Sequence, residues 1–246
     1  MRWFIDRSAL CRLAALLPLL CAGTAAAAAP PAARPPDTMA QRLAPCLACH
    51  ARVDVDGRPL NDRFFPRISG KPAGYLYNQL VNFRDGRRQF PVMTYMVDHL
   101  PDPYLQEIAG WFAAQHPPVP PPPPADATPQ VLERGRKLAL EGDVARKLPA
   151  CIACHGQQLT GVEPAVPGLL GLPRDYVNAQ LGAWRNKTRR AHAPDCMAVV
   201  AERLSLEDVA AVSGWLASQP LRPDARPATS IARPLPLACG SFPDPR

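Results

Sequence analysis

Cys46, Cys49 and His50 stand in the order C-x-x-C-H, in the run CLACH, and Cys151, Cys154 and His155 repeat that order in the run CIACH. The chemistry such spacing serves is specific. Two thiols one helical turn apart can form thioethers to the two vinyl groups of a haem, and the imidazole that follows is then held beneath the iron as its proximal ligand. Each triplet is therefore a candidate attachment site for one c-type haem. The competing uses are a zinc site, a dithiol redox pair and a disulfide staple. Four zinc ligands split between Cys49 and Cys151 across a proline-rich stretch make a poor cage, and zinc has no need of a His after each second Cys. A thioredoxin-like pair expects a βαβ context, which the pattern lacks.

The second axial ligand decides what such a haem can do. A Met thioether raises the potential and suits electron transfer, His lowers it, and an empty position admits substrate. Met93 and Met197 follow their triplets at nearly the same distance, and are the expected distal ligands. Met96 has no counterpart in the second copy, where Val200 stands, so it reads as packing or a backup ligand. His99, His116 and His192 have no His counterparts and read as surface or loop residues. Cys196, directly before Met197, has two readings: a thiolate ligand giving a low-potential haem, or a disulfide to Cys239 that ties back the tail. The disulfide is favoured, because an exported chain with two leftover cysteines usually pairs them.

The elements that must position these residues come in two copies. Pro66, Gly70, Pro72, Tyr75, Gln79, Leu80 and Arg84 keep step with Pro167, Gly171, Pro173, Tyr176, Gln180, Leu181 and Arg185, and Met93, Leu100, Trp111 and Gln115 with Met197, Leu204, Trp215 and Gln219. The pattern within each copy is helical. Thr128 caps a helix over Pro129 to Leu140 with Pro at its first position. Tyr75 to Arg84 and Tyr176 to Arg185 carry apolar stripes, as do the last helices with Leu105, Ile108, Trp111 and Phe112, or Val209, Val212, Trp215 and Leu216. Ser205 caps the second of these, with Asp208 three residues on. Between the copies lies PPVPPPPP, residues 117–124, an extended polyproline spacer.

The chain has 246 residues, 32 prolines, 8 cysteines and a formal net charge of +7. That charge does not make a nucleic-acid binder. Residues 37–116 and 117–220 each carry only one more basic than acidic side chain, and the remaining excess sits at the termini. Residues 1–29 read as a secretory signal: Arg2, Arg7 and Arg12, then an apolar run, then small residues. An uncleaved anchor is the rival reading, with Pro18 interrupting the apolar run. Cleavage removes Cys11 and Cys21 and places the mature chain in the periplasm.

Taken together, the two triplets, the run FPRISGKPAGYLYNQLVNFRDGRR, the run TPQVLERGRKLALEGDVARKLPACIACHG and the Met197-to-Ser205 spacing resemble the diheme class I cytochromes c of the cytochrome c4 family, over about residues 38–220. The resemblance implies an all-α fold of two tandem class I cytochrome c domains, at 37–116 and 128–220, joined by a Pro-rich linker at 117–127 and followed by a Pro-rich tail at 221–246. It implies two covalently attached haem c groups with His50 and Met93, and His155 and Met197, as axial ligands. The implied role is single-electron transfer between redox partners, from a donor toward a terminal oxidase or other acceptor, without catalysis. Arg67, Arg84 and Arg185 are candidate partners for haem propionates. The alternatives are a haem enzyme of the diheme peroxidase or thiosulfate-oxidising type, with a non-Met ligand in the second domain, and a cytochrome subunit of a membrane oxidase or dehydrogenase complex, associated through a partner or the uncleaved N-terminus.

Overall fold

The computed structural model describes residues 37–60 and 62–242; the expected secretory signal at 1–29 lies outside them. The first lobe contains α1 (Met39–Arg42), α2 (Ala44–His50), α3 (Ala73–Arg84), α4 (Pro91–Val97) and α5 (Asp102–Ala114). The second contains α6 (Pro129–Leu140), α7 (Ile152–His155), α8 (Arg174–Arg185), α9 (Cys196–Arg203) and α10 (Leu206–Ser218). A two-residue antiparallel pair, β1 (Gly161–Val162) with β2 (Val166–Pro167), lies between α7 and α8 and departs from the expected helical pattern.

Local chemistry accounts for the helix ends. The Thr128 side chain accepts from the Val131 amide, with Pro129 opening α6. Ser205 and Asp208 form a reciprocal capping box at the start of α10. After α3 and α8 the chain turns through left-handed residues at matching positions, Gly86 and Lys187. Each lobe has its own core. Leu43, Leu76, Phe83, Leu105, Ile108 and Phe112 form the first, and Leu138, Leu148, Leu181, Val209, Val212 and Leu216 the second. The stripes read from the sequence thus face inward, with Trp111 edge-on to Phe112.

In the second lobe α6 crosses α10 so closely at Gly135 that a Cβ there would fall on the Ala211 carbonyl. Gly135→Ala is therefore expected to destabilise the protein by about 2 kcal/mol through overpacking, although alanine is the better helix former. Thermal unfolding of the holoprotein measures the loss.

Arg84 and Arg185 do a different job from the one expected of them. Arg84 donates to the Leu100 carbonyl at 3.2 Å and pairs with Asp85 and Asp102. Arg185 donates to the Ala201 carbonyl at 3.0 Å and to that of Leu204. Leu100 and Leu204 are equivalent, so each arginine ties the end of one helix to the chain entering the last helix. Arg67 spans to the linker, donating to the Pro117 carbonyl at 2.9 Å.

Candidate functional site

The two triplet histidines are oriented alike. Nδ1 of His50 lies 2.9 Å from the Pro66 carbonyl and Nδ1 of His155 lies 2.8 Å from that of Pro167. With Nδ1 donating, the lone pair of each neutral ring is left on Nε2 for a metal, the usual arrangement of an oriented imidazole ligand. Burial pushes both imidazoles below their ordinary pKa, favouring that neutral form. The short β pair earns its place here, because β2 holds Pro167.

All four triplet cysteines are free of disulfides. Burial raises the thiols of Cys46 and Cys154, and pushes Cys151 up to about 12. A dithiol redox pair needs the opposite, a readily formed thiolate. Among the described residues, no three His, Cys, Asp or Glu side chains gather as a metal site.

In the second lobe one cavity brings together Cys151, Cys154, His155 and Met197 with Leu138, Leu148, Leu181, Leu216 and Trp184. In the first lobe Cys46, Met93 and Met96 pack against the core formed by Leu43, α3, Val97 of α4 and α5. His99, His116 and His192 do not line the second-lobe cavity. His99 is exposed, and the His192 amide instead donates to the Ser241 hydroxyl. Cys196 and Cys239 form a disulfide, which removes the Cys196 sulfur from the set of ligands.

At its other end the second-lobe cavity is bounded by Lys71, Tyr75, Gln79, Tyr176, Gln180 and Arg189. These residues meet across the boundary between the lobes. Arg88 donates to Gln79 at 3.1 Å, to the Tyr176 hydroxyl at 3.0 Å and to Gln180 at 2.8 Å. Arg189 donates to Gln180 at 2.7 Å and to Gln79 at 2.9 Å. The guanidinium of Arg88 lies 4.5 Å from the Phe83 ring centre and that of Arg189 3.9 Å from the ring centre of Trp184. Lys71 reaches over to the Gly168 carbonyl at 2.8 Å, and burial brings its ammonium down to about 8.

Arg88 and Arg189 were not among the residues picked from the sequence. Both are buried, and among the described residues neither they nor Lys71 has a carboxylate partner. Buried cations of one sign require an anion or lose several kcal/mol to desolvation. The buried Trp184 Nε1 also lacks an acceptor. A haem fits this donor set: its vinyl side suits the cysteines, its macrocycle the leucine-lined wall, and its propionates the cations and the indole N–H.

Comparison with known proteins agrees. The chain is 36% identical over 227 residues to the thiosulfate dehydrogenase electron acceptor of Thiomonas intermedia, spanning 91% of this chain and 96% of that one. It is 33% identical to cytochrome c4 of Pseudomonas aeruginosa, over 71% of this chain and 84% of the relative. Among solved structures, reduced cytochrome c4 from Pseudomonas stutzeri matches with a TM-score of 0.60 at 30% identity, over 72% of this chain and 95% of that one. A thiosulfate dehydrogenase from Marichromatium purpuratum matches with a TM-score of 0.62 at 32% identity, but over only 36% of its own length. No protein-family model matches the chain. With paired cysteine triplets, a donor set suited to haem and relatives of this kind over most of its length, the chain belongs to the cytochrome c4 family: a diheme electron-transfer cytochrome of two class I cytochrome c domains with covalently bound haem c groups.

Proposed function

We propose that this protein is a periplasmic electron carrier that takes single electrons from a dehydrogenase and passes them toward a terminal oxidase, binding no substrate of its own. Residues 1–29 direct export; residues 37–116 and 128–220 are the haem-binding domains, 117–127 the linker and 221–246 the tail. Cys46 and Cys49 would hold the first haem through thioethers, with His50 and Met93 as its iron ligands; Cys151, Cys154, His155 and Met197 would do the same for the second. The haems supply reversible one-electron chemistry. The Pro66 and Pro167 carbonyls orient the histidines, while Lys71, Arg88, Arg189 and Trp184 would hold the propionates. The observation that carries this reading is the cavity that places Met197 with Cys151, Cys154 and His155, supported by the removal of Cys196 into a disulfide. No helix among the described residues is long and apolar enough to cross a membrane.

The relatives named as thiosulfate dehydrogenase electron acceptors favour one donor. Joining two thiosulfate ions through a new S–S bond, as tetrathionate, releases two electrons, the number two haems can accept. Thiosulfate alone is expected to leave the oxidised holoprotein oxidised, whereas thiosulfate with a thiosulfate dehydrogenase reduces both haems. Reduction by thiosulfate alone would make the protein an enzyme. No reduction with the dehydrogenase present would place the donor elsewhere.

A further inference from the structure

The run Leu235-Pro-Leu-Ala-Cys-Gly-Ser-Phe242 alternates in type, and the structure uses the alternation. Leu235, Leu237, Cys239 and Ser241 line the same cavity as His155 and Met197, as does Phe242 at the end of the run, while Pro236, Ala238 and Gly240 are exposed. That is the period-two pattern of an extended segment with one face buried. The segment is fastened at several points. Cys239 is bonded to Cys196 at the start of α9. The Gly240 amide donates to the Pro194 carbonyl at 2.9 Å, and a side chain at Gly240 would collide with the Ala193 carbonyl. The Ser241 hydroxyl accepts from the His192 amide, and its carbonyl accepts from Asn78 of the first lobe at 3.3 Å. Further back, the backbone of Ala228 exchanges bonds with Gly161 and Glu163 beside β1.

The first lobe contrasts with this. Val92 occupies the position equivalent to Cys196 and is 59% exposed, and Tyr95 beside it is 84% exposed. The segment thus covers in the second lobe a face that is open in the first.

We propose that residues 235–242 are the outer wall of the second haem site, pinned by the Cys196–Cys239 bond so as to exclude water from that haem and hold Met197 in place. This rests on the reading that Met197 ligates the second haem. Two consequences follow from the low polarity of such a wall. It favours the less charged ferrous state and so raises the potential of that haem, since burial is one of the protein's levers on potential. By fixing the residue next to Met197, it also slows displacement of the thioether by an outside ligand.

The test uses the full-length holoprotein and two variants, Cys196→Ser/Cys239→Ser and Leu235→Ser/Leu237→Ser, with imidazole as probe. Met197→Ala identifies which redox wave and which haem absorption belong to the second haem. Imidazole binding to the oxidised second haem is expected to quicken at least tenfold in both variants, with its midpoint potential lowered and the first haem unchanged. Unmoved rates and potentials in both variants, or equal changes at the two haems, would overturn the proposal. Failure of the ligand reading itself looks different: Met197→Ala would then remove no iron–thioether absorption.

Discussion

Met197→Ala is expected to lower the potential of one haem by at least about 120 mV, a hundredfold change in its one-electron equilibrium, and to leave the other where it was. A thioether ligand stabilises ferrous iron, and in the proposed site Met197 would supply it. Met197 opens into the cavity that holds Cys151, Cys154 and His155, whereas Cys196 is committed to Cys239 and no described histidine other than His155 lines that cavity. Half of the iron–thioether absorption is expected to be lost with Met197. The control lies in the first lobe, where Met93 and Met96 pack against one core. Met93→Ala is expected to shift only the first haem and Met96→Ala neither. Visible spectroscopy and redox titration of the three variants check all three statements.

Asp208→Ala is expected to cost about 3 kcal/mol, a fall in melting temperature of roughly 6–12 °C for a chain of this size. Asp208 is fully buried. It accepts from Arg134 at 2.6 Å, from Arg146 at 2.5 Å and from the Ser205 amide at 2.9 Å. One carboxylate thus joins α6, the loop before α7 and the cap of α10. The loss falls at the low end for a buried ion pair, because both guanidinium groups are partly exposed and regain water when the acid is removed. Burial works to raise the Asp208 carboxyl, but the donors from Arg146, Ser205 and Arg134 outweigh it and hold it at about 2. The folded value is therefore depressed. Its contribution is complete above the ordinary carboxylate value of 3.8 and disappears as pH falls toward 2. The stability difference between wild type and Asp208→Ala, followed by thermal unfolding against pH, is expected to close over that window.

What could be read in advance was what obeys local rules. The C-x-x-C-H triplets, the Thr128–Pro129 and Ser205–Asp208 caps and the apolar stripes each depend on residues within a turn or two of one another. The duplication paired Met93 with Met197 before any contact was known. Arg84 and Arg185 show where such reading stops. Nothing in their neighbourhood tells that each side chain bends back to a carbonyl before the last helix; that is set by how the helices pack. Arg88 and Arg189 escaped notice among the basic runs RDGRR and RNKTRR. Their signal was the shared spacing to Tyr75 and Gln79, or Tyr176 and Gln180, and their burial appears only when two lobes close on one another. The β1–β2 pair, with two residues in each strand, is too short to show a periodicity. Sequence favoured Cys239 as the partner of Cys196, and the return path of the tail, with Leu235 and Leu237 turned inward, is what decides it.

The central claim is that two His/Met haems serve one carrier, and a spectroelectrochemical titration of holoprotein matured with haem-attachment machinery tests it most directly. Two one-electron steps at positive potential, each with iron–thioether absorption, are the expected result. One positive and one strongly negative step would show that one of Met93 and Met197 is not a working ligand, and would contradict the reading of this protein as a simple carrier.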